Sequence, residues 1–368
     1  MNKDKISKNQ EIYTLILFLL GSSFVFGTGS KARQDGWLSI LFAVLLFLPM
    51  IFVYVRICCL YPGKSLFDIA LDVFGNALGR FVVVIYIFYS LYLGALVMRD
   101  FSEFINLTSL HETPQIFILS AILIACGFIV KKREKAFARL NVLIFLIIVC
   151  ITCLVLLLSL SQCNFNLLKP VGGTGVKSIA DNAFSVFSFP FAESIVVLSL
   201  YGSVDITGHP YRLFIKGALA ATAFFLVSDI IVVCVLGPPT LDSTNFPPYE
   251  ETTLLSVGAF FSRFEVLIGI AILLCGVVKI SVCLFASTIG ISKLFLIKNR
   301  EALSYPVGLL MVTLAVTIYK NTGEMLAWLA DYKYYAFPFQ VIFPLAIWIT
   351  CEIKRIKKIR RGAEVRPS

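Results

Sequence analysis

The chain has 368 residues, of which 58% are hydrophobic and only 15% charged. Its net charge is +10 at pH 7 and its mean hydropathy is +0.89. Soluble domains are nearer one-quarter charged and half apolar, so this composition excludes a soluble enzyme, a disordered chain and a nucleic-acid binder. It fits about ten membrane-crossing helices of roughly 20 apolar residues each.

In chain order, apolar runs fall at 12–30, 38–59, 80–98, 115–130, 140–160, 181–201, 214–237, 264–288, 303–319 and 335–351. They are too long for strands of a membrane barrel, which need about ten alternating residues. Helix is then the way to satisfy backbone groups in lipid. The expected architecture is an all-α integral membrane protein of ten transmembrane helices. Residues 1–368 form one membrane domain, with a first five-helix repeat at 12–160, a second at 178–351 and a basic cytoplasmic tail at 352–368.

Ten spans put both termini on one side of the lipid bilayer. The segments on that side hold 23 lysines and arginines, against eight on the other. Basic loops stay in the cytoplasm, so both termini are expected there. The longest connection on the opposite side, 238–263, is shaped by Pro238, Pro239, Pro247 and Pro248. It reads either as a lid over an outward pocket or as a plain connector.

Two runs carry interruptions at depth. The first holds Gly21-Ser22-Ser23 and then Gly27-Thr28-Gly29; the sixth holds Ser188-Phe189-Pro190-Phe191-Ala192-Glu193. Glycine lets the backbone leave helical geometry, and proline removes a hydrogen bond. Groups freed within a membrane must line a cavity or be buried in protein. Paired breaks in two inverted halves point to a central binding site. The expected ligand pocket lies between Gly21, Ser22, Ser23 and Phe24 on one side and Phe189, Pro190, Phe191 and Glu193 on the other. Amides at half-helix N-termini suit a carboxylate. Freed carbonyls, with or without Glu193, suit an ammonium. Those needs describe a zwitterionic amino acid, its apolar part bounded by Phe24, Phe189 and Phe191.

Charges at mid-span mark functional sites by default. Glu193 is one, as a ligand acceptor or as a structural carboxyl capping the second half-helix. Lys279 is another. Its ammonium either replaces a bound sodium ion as a fixed charge or pairs with a carboxylate such as Glu193 or Asp229. Ser281 is grouped with Lys279 as an ion site or switch. His111 and His209 stand in loops without metal company, so no metal and no cofactor are expected. No Ser/His/Asp, P-loop or Rossmann pattern occurs, which argues against an enzyme.

The order of these motifs resembles the spore germination B-subunit family, the GerAB-like endospore germination permeases of the amino acid–polyamine–organocation transporter superfamily. The matching pieces are Ile6-Ser7-x-x-Gln10, Gly21-Ser22-Ser23, Asp35-Gly36-Trp37, Phe74-Gly75 with Gly79, and Thr113-Pro114. They continue with Asn166-Leu167-Leu168-Lys169-Pro170-Val171, Ser188-Phe189-Pro190-Phe191-Ala192-Glu193, Arg263-Phe264-Glu265 and Lys279-Ile280-Ser281. Ala192 stands where the family signature has glycine, and the Leu-Pro usual before Asp35 is missing. The resemblance implies a LeuT/APC-like inverted repeat with broken helices 1 and 6. It also implies a germinant-sensing subunit of the endospore inner membrane that works with A and C subunits. An amino-acid permease without partner subunits shares the fold and is the alternative.

Overall fold

The computed structural model describes residues 6–204, 210–255 and 263–364; His209 lies outside them. Every one of the ten apolar runs falls on helix. Helix α1 (Lys8–Leu20) opens with a reciprocal cap, in which the Ser7 amide donates to Gln10 Oε1 at 3.1 Å. It stops because Gly21 takes φ −3° and ψ −118°, outside helical geometry. One turn follows, α2 (Ser23–Phe26), and a tight 3-10 stretch, Ser30–Asp35, leads into α3 (Gly36–Leu60).

Helix α4 (Leu66–Thr108) is capped by Ser65 and Asp68 and bends at Gly75, where φ is +77°. Helices α5 (Gln115–Lys131) and α6 (Arg133–Ser159) complete the first half. Helix α7 (Val176–Val186) then breaks at Phe189, with φ −133° and ψ 105°, ahead of Pro190. It resumes as a narrow 3-10 stretch, Ala192–Ser203. Helix α8 (Pro210–Leu236) leads to two short connecting helices, α9 (Pro238–Leu241) and α10 (Pro247–Thr253). Helices α11 (Glu265–Leu294), α12 (Ser304–Ile318), α13 (Thr322–Phe337) and α14 (Phe343–Glu364) finish the chain.

Among the described residues, eight helical stretches are long and apolar enough to cross a membrane. The remaining two runs are α5, at 17 residues, and the divided α1–α2. The chain is a multi-pass membrane protein. Burial separates its centre from its rim. The most apolar window of Val176–Ser203 is 83% buried, against 28% for Arg133–Gln162. The broken sixth run therefore lies inside the bundle, while α6 turns Leu143, Leu146 and Leu157 outward, where lipid replaces water as the solvent.

Helix α11 is the other central element. Small residues let its neighbours approach it closely. A Cβ on Gly276 would land 2.3 Å from the Phe101 ring of α4, so glycine is required at that crossing. All ten cysteines are free thiols. Cys150 and Cys153 form a Cys-x-x-Cys spacing on α6, but both are exposed on a lipid-facing helix.

Candidate functional site

The break in the first run brings Ser22 against α11. There the Lys279 Nζ lies 3.0 Å from Ser22 Oγ and 2.5 Å from Glu193 Oε2. Both charged side chains are fully buried. The ammonium also stands over two aromatic faces, 5.4 Å from the Phe18 centroid and 4.7 Å from that of Phe189. Each ring contributes its negative face to the cation. The aliphatic stem passes so close to Gly21 that a Cβ there would fall 2.4 Å from Lys279 Cδ. Of the sequence alternatives for Lys279, the geometry takes the Glu193 pair; Asp229 is not its partner. The space expected for a ligand ammonium between the two breaks holds the ammonium of Lys279.

The second break is held by a network of uncharged polar groups. Gln340 Nε2 donates to the Ser188 carbonyl at 2.8 Å and to Tyr89 Oη at 2.9 Å, and Ser188 Oγ donates to Gln340 Oε1 at 2.9 Å. The Tyr54 hydroxyl is 3.1 Å from the Ala192 carbonyl and 2.6 Å from that of Gln340. Carbonyls released around Pro190 thus find protein donors, as an irregular backbone in a membrane must. Tyr332 lies beside Glu193 around one small void, and its hydroxyl is 3.2 Å from that of Tyr89. Lys279 and Glu193 form a buried ion pair, and Tyr332, Tyr89 and Gln340 form a buried hydrogen-bonded chain beside it.

Beside this plug is a cavity of about 300 Å³. Phe26, Thr28 and Lys31 wall it from the first run, and Asn182 and Phe189 from the sixth. Tyr332 and Lys333 of α13 close a third side, and Leu241, Asp242 and Asn245 of the α9–α10 connection a fourth. Lys333 pairs with Asp181 at 2.5 Å, and Arg33 with Asp242 at 2.7 Å. Lys31 makes no ion pair among the described residues.

Of the residues expected at the ligand, only Phe189 lines this cavity. Gly21, Ser22 and Glu193 meet at Lys279 instead. Ser23 and Phe24 face a smaller void beside Asp229. Pro190 is buried, and Phe191 stacks on Phe47 at 5.5 Å and meets Phe225 edge-on at 5.8 Å. Ser281 is buried two residues beyond Lys279, a spacing that turns it to another face of α11, toward Cys126. The cavity residues Asn182, Tyr332 and Lys333 carry no local mark: Lys333 reads as an outer-segment charge, and nothing in the pattern separates a wall tyrosine from a packing one. Thr28 stands within the first interruption, and Gln340, an amide inside an apolar run, is the remaining signal in the sequence.

A family model described as "Spore germination protein" matches residues 5–324. The chain is 27% identical to spore germination protein KB of Bacillus subtilis (strain 168), over 99% of both chains. It is 23% identical to spore germination protein YndE of the same organism, over 84% of this chain and 85% of the other. Among solved structures it is similar to MhsT, crystallised with L-phenylalanine. That match has a TM-score of 0.61 and 14% identity, and covers 95% of this chain and 99% of the other. The likeness carries the fold, a LeuT/APC-like transporter arrangement.

Proposed function

The chain belongs to the spore germination protein family, and on that premise we propose that it is the germinant-sensing, permease-like B subunit of a spore germinant receptor. Its two five-helix repeats, 12–160 and 178–351, enclose the site. It resides in the endospore inner membrane with both termini cytoplasmic, and works with A and C subunits. The observation that carries the ligand class is the cavity of about 300 Å³ between the two interrupted helices. That is the size of a small-molecule pocket. Lys31 offers an ammonium for a carboxylate. The Asn182 side chain offers an acceptor for an ammonium, and Phe26 and Phe189 supply apolar walls. An amino acid meets all three.

The Lys279–Glu193 pair lies behind two wall residues of the cavity, Phe189 against the ammonium and Tyr332 beside Glu193. A ligand that moves these walls converts binding into a signal at the pair, and no passage through the protein is needed. Spores carrying Thr28→Trp test the reading, because indole would fill the cavity from an edge position. The expected result is loss of response across an amino-acid panel while the protein accumulates normally. An unchanged dose response would remove this cavity from consideration. Uptake of labelled amino acid by vesicles containing this chain alone would instead favour the permease reading.

A further inference from the structure

Asp229 on α8 takes no part in the network around Lys279. It is only 6% exposed and makes no ion pair among the described residues. The backbone of Gly29 packs directly against its carboxylate. Its Oδ2 has no hydrogen-bond partner among the described residues, and neither does the buried Ser23 Oγ. Both residues line one small void of about 10 Å³, together with Ser30, Ser228 and the α10 prolines Pro247 and Pro248. A void of that size holds about one water-sized particle. The chain makes room for the carboxylate with two glycines. A Cβ on Gly29 would fall 1.9 Å from Oδ1, and one on Gly36 would fall 2.6 Å from Oδ2.

A buried carboxylate without a partner is costly unless something compensates it. One carboxylate balances one positive charge, and among the described residues no cluster of three His, Cys, Asp or Glu exists to hold a divalent metal. The side-chain heteroatoms that line the void, those of Ser23, Thr28, Ser30, Ser228 and Asp229, are all oxygens and suit a small, hard ion. We propose that Asp229 and Ser23 form a binding site for a sodium-sized monovalent cation, between the end of the broken first helix, α8 and α10. The site has a built-in consequence. Gly27, Thr28, Ser30 and Leu241 line both this void and the larger cavity. A cation held at Asp229 fixes the turn that walls the ligand space. That coupling rests on the ligand reading above; the cation site itself does not.

The test uses the purified full-length protein in detergent, without amino acid. Thermal unfolding is followed in sodium, potassium and choline chloride at matched ionic strength and pH 7. A ligand that binds only the folded state raises the melting temperature in a saturable way. The expected result is such a rise with sodium, a smaller one with potassium and none with choline. Asp229→Asn, which keeps the shape and removes the charge, should abolish the sodium effect. Ser23→Ala should raise the half-saturating sodium concentration several-fold. Superimposable curves in sodium and choline would overturn the proposal, as would a sodium effect that survives in Asp229→Asn. A normal sodium effect in a protein that binds no amino acid would sink the ligand reading and leave this one standing.

Discussion

Lys279 and Glu193 meet at 2.5 Å with neither side chain reachable by solvent. Desolvating two charges is expensive, and their attraction offsets that cost only while both are present. Removing one partner leaves an uncompensated charge and costs about 3–5 kcal/mol. Lys279→Met alone and Glu193→Gln alone are therefore expected to lower melting temperature and protein level. The double variant should regain most of both and still fail to germinate, because it keeps the packing and loses the charged link to the ligand. Measuring abundance and germinant response together decides the matter. A double variant that germinates normally would make the pair a purely structural tie.

Gly21 is the residue that lets the lysine in. A methyl group there would lie 2.4 Å from Lys279 Cδ and 2.9 Å from the Phe18 carbonyl oxygen. Overpacking of this kind costs about 1–3 kcal/mol. Because the clash is with the lysine stem, Gly21→Ala should cost less in a Lys279→Ala background, where the stem is gone. A double-mutant cycle on unfolding free energy reads that coupling directly. Additive effects would mean that the Phe18 carbonyl, and not the lysine, sets the requirement for glycine.

Gln340 is expected to matter more than its uncharged side chain suggests. It satisfies the Ser188 carbonyl and hydroxyl and the Tyr89 hydroxyl at once. Gln340→Leu would leave the Ser188 carbonyl and hydroxyl buried without these partners, at about 1–3 kcal/mol for each orphan, while Tyr89 keeps Tyr332. The expected outcome is a strong fall in thermal stability. Gln340→Glu should preserve the acceptor for Ser188 and recover only part of it. A Leu variant as stable as the parent would show that the break at Phe189 holds itself.

The limits of sequence reading follow from which forces act locally. Apolar runs mark helices because lipid leaves the backbone no other solution, and all ten runs fall on helix. Gly21 and Pro190 mark where helical geometry stops, because their own chemistry stops it. Glu193 and Lys279 are visible as charges at depth and their pairing as one alternative, but choosing Glu193 over Asp229 depends on α11 lying against both broken helices. The wall of the cavity of about 300 Å³ is not legible in the sequence. Lys333 and Arg99 look like loop cations yet are 5% and 4% exposed, because Asp181 and Glu103 reach them across the fold or along the helix.

Glu251 on the connecting helix α10 gives a pH dependence with a definite sign. Burial pushes its carboxyl up from 4.5 to about 7, and the hydrogen bond with Ser159 only partly counters that. Geometry agrees. Ser159 Oγ has a single proton and faces both the Val155 carbonyl at 2.9 Å and Glu251 Oε1 at 2.5 Å. A protonated Glu251 resolves the conflict, donating to Ser159 while Ser159 donates to Val155. With the folded value above the unfolded one, the folded state binds the extra proton. Its stabilisation is complete below about pH 4.5 and is lost as pH rises through about 7. A shift of this size corresponds to about 3 kcal/mol. Docking of α10 should therefore loosen between pH 6 and 8, seen as faster hydrogen exchange in 247–253. Glu251→Gln should hold the helix docked across that range, and an unchanged pH profile in that variant would exclude Glu251 as the source.

Orientation is the last expectation, and burial sharpens it. Arg99 and Lys333 account for two of the eight basic residues assigned to the outer segments. Both are buried and paired, so still fewer outer charges are free to oppose translocation. At the other end of the bundle, Lys132, Lys135, Arg139, Lys298 and Arg300 line one open cavity of about 650 Å³. Arg133–Glu301 and Arg300–Glu134 bridges, at 2.5 and 2.8 Å, bind the two inner loops together. Basic residues within short loops set topology, so this end is expected in the cytoplasm, with α9 and α10 outside. A reporter fused after Arg139 should be active only in its cytoplasmic form, and one fused after Leu168 only in its exported form. Leu168 lies beside α8 where that helix runs into α9, so the same fusion also fixes the side of the α9–α10 connection. Identical signals from both positions would rule out an odd number of crossings between them and, with it, the ten-span arrangement.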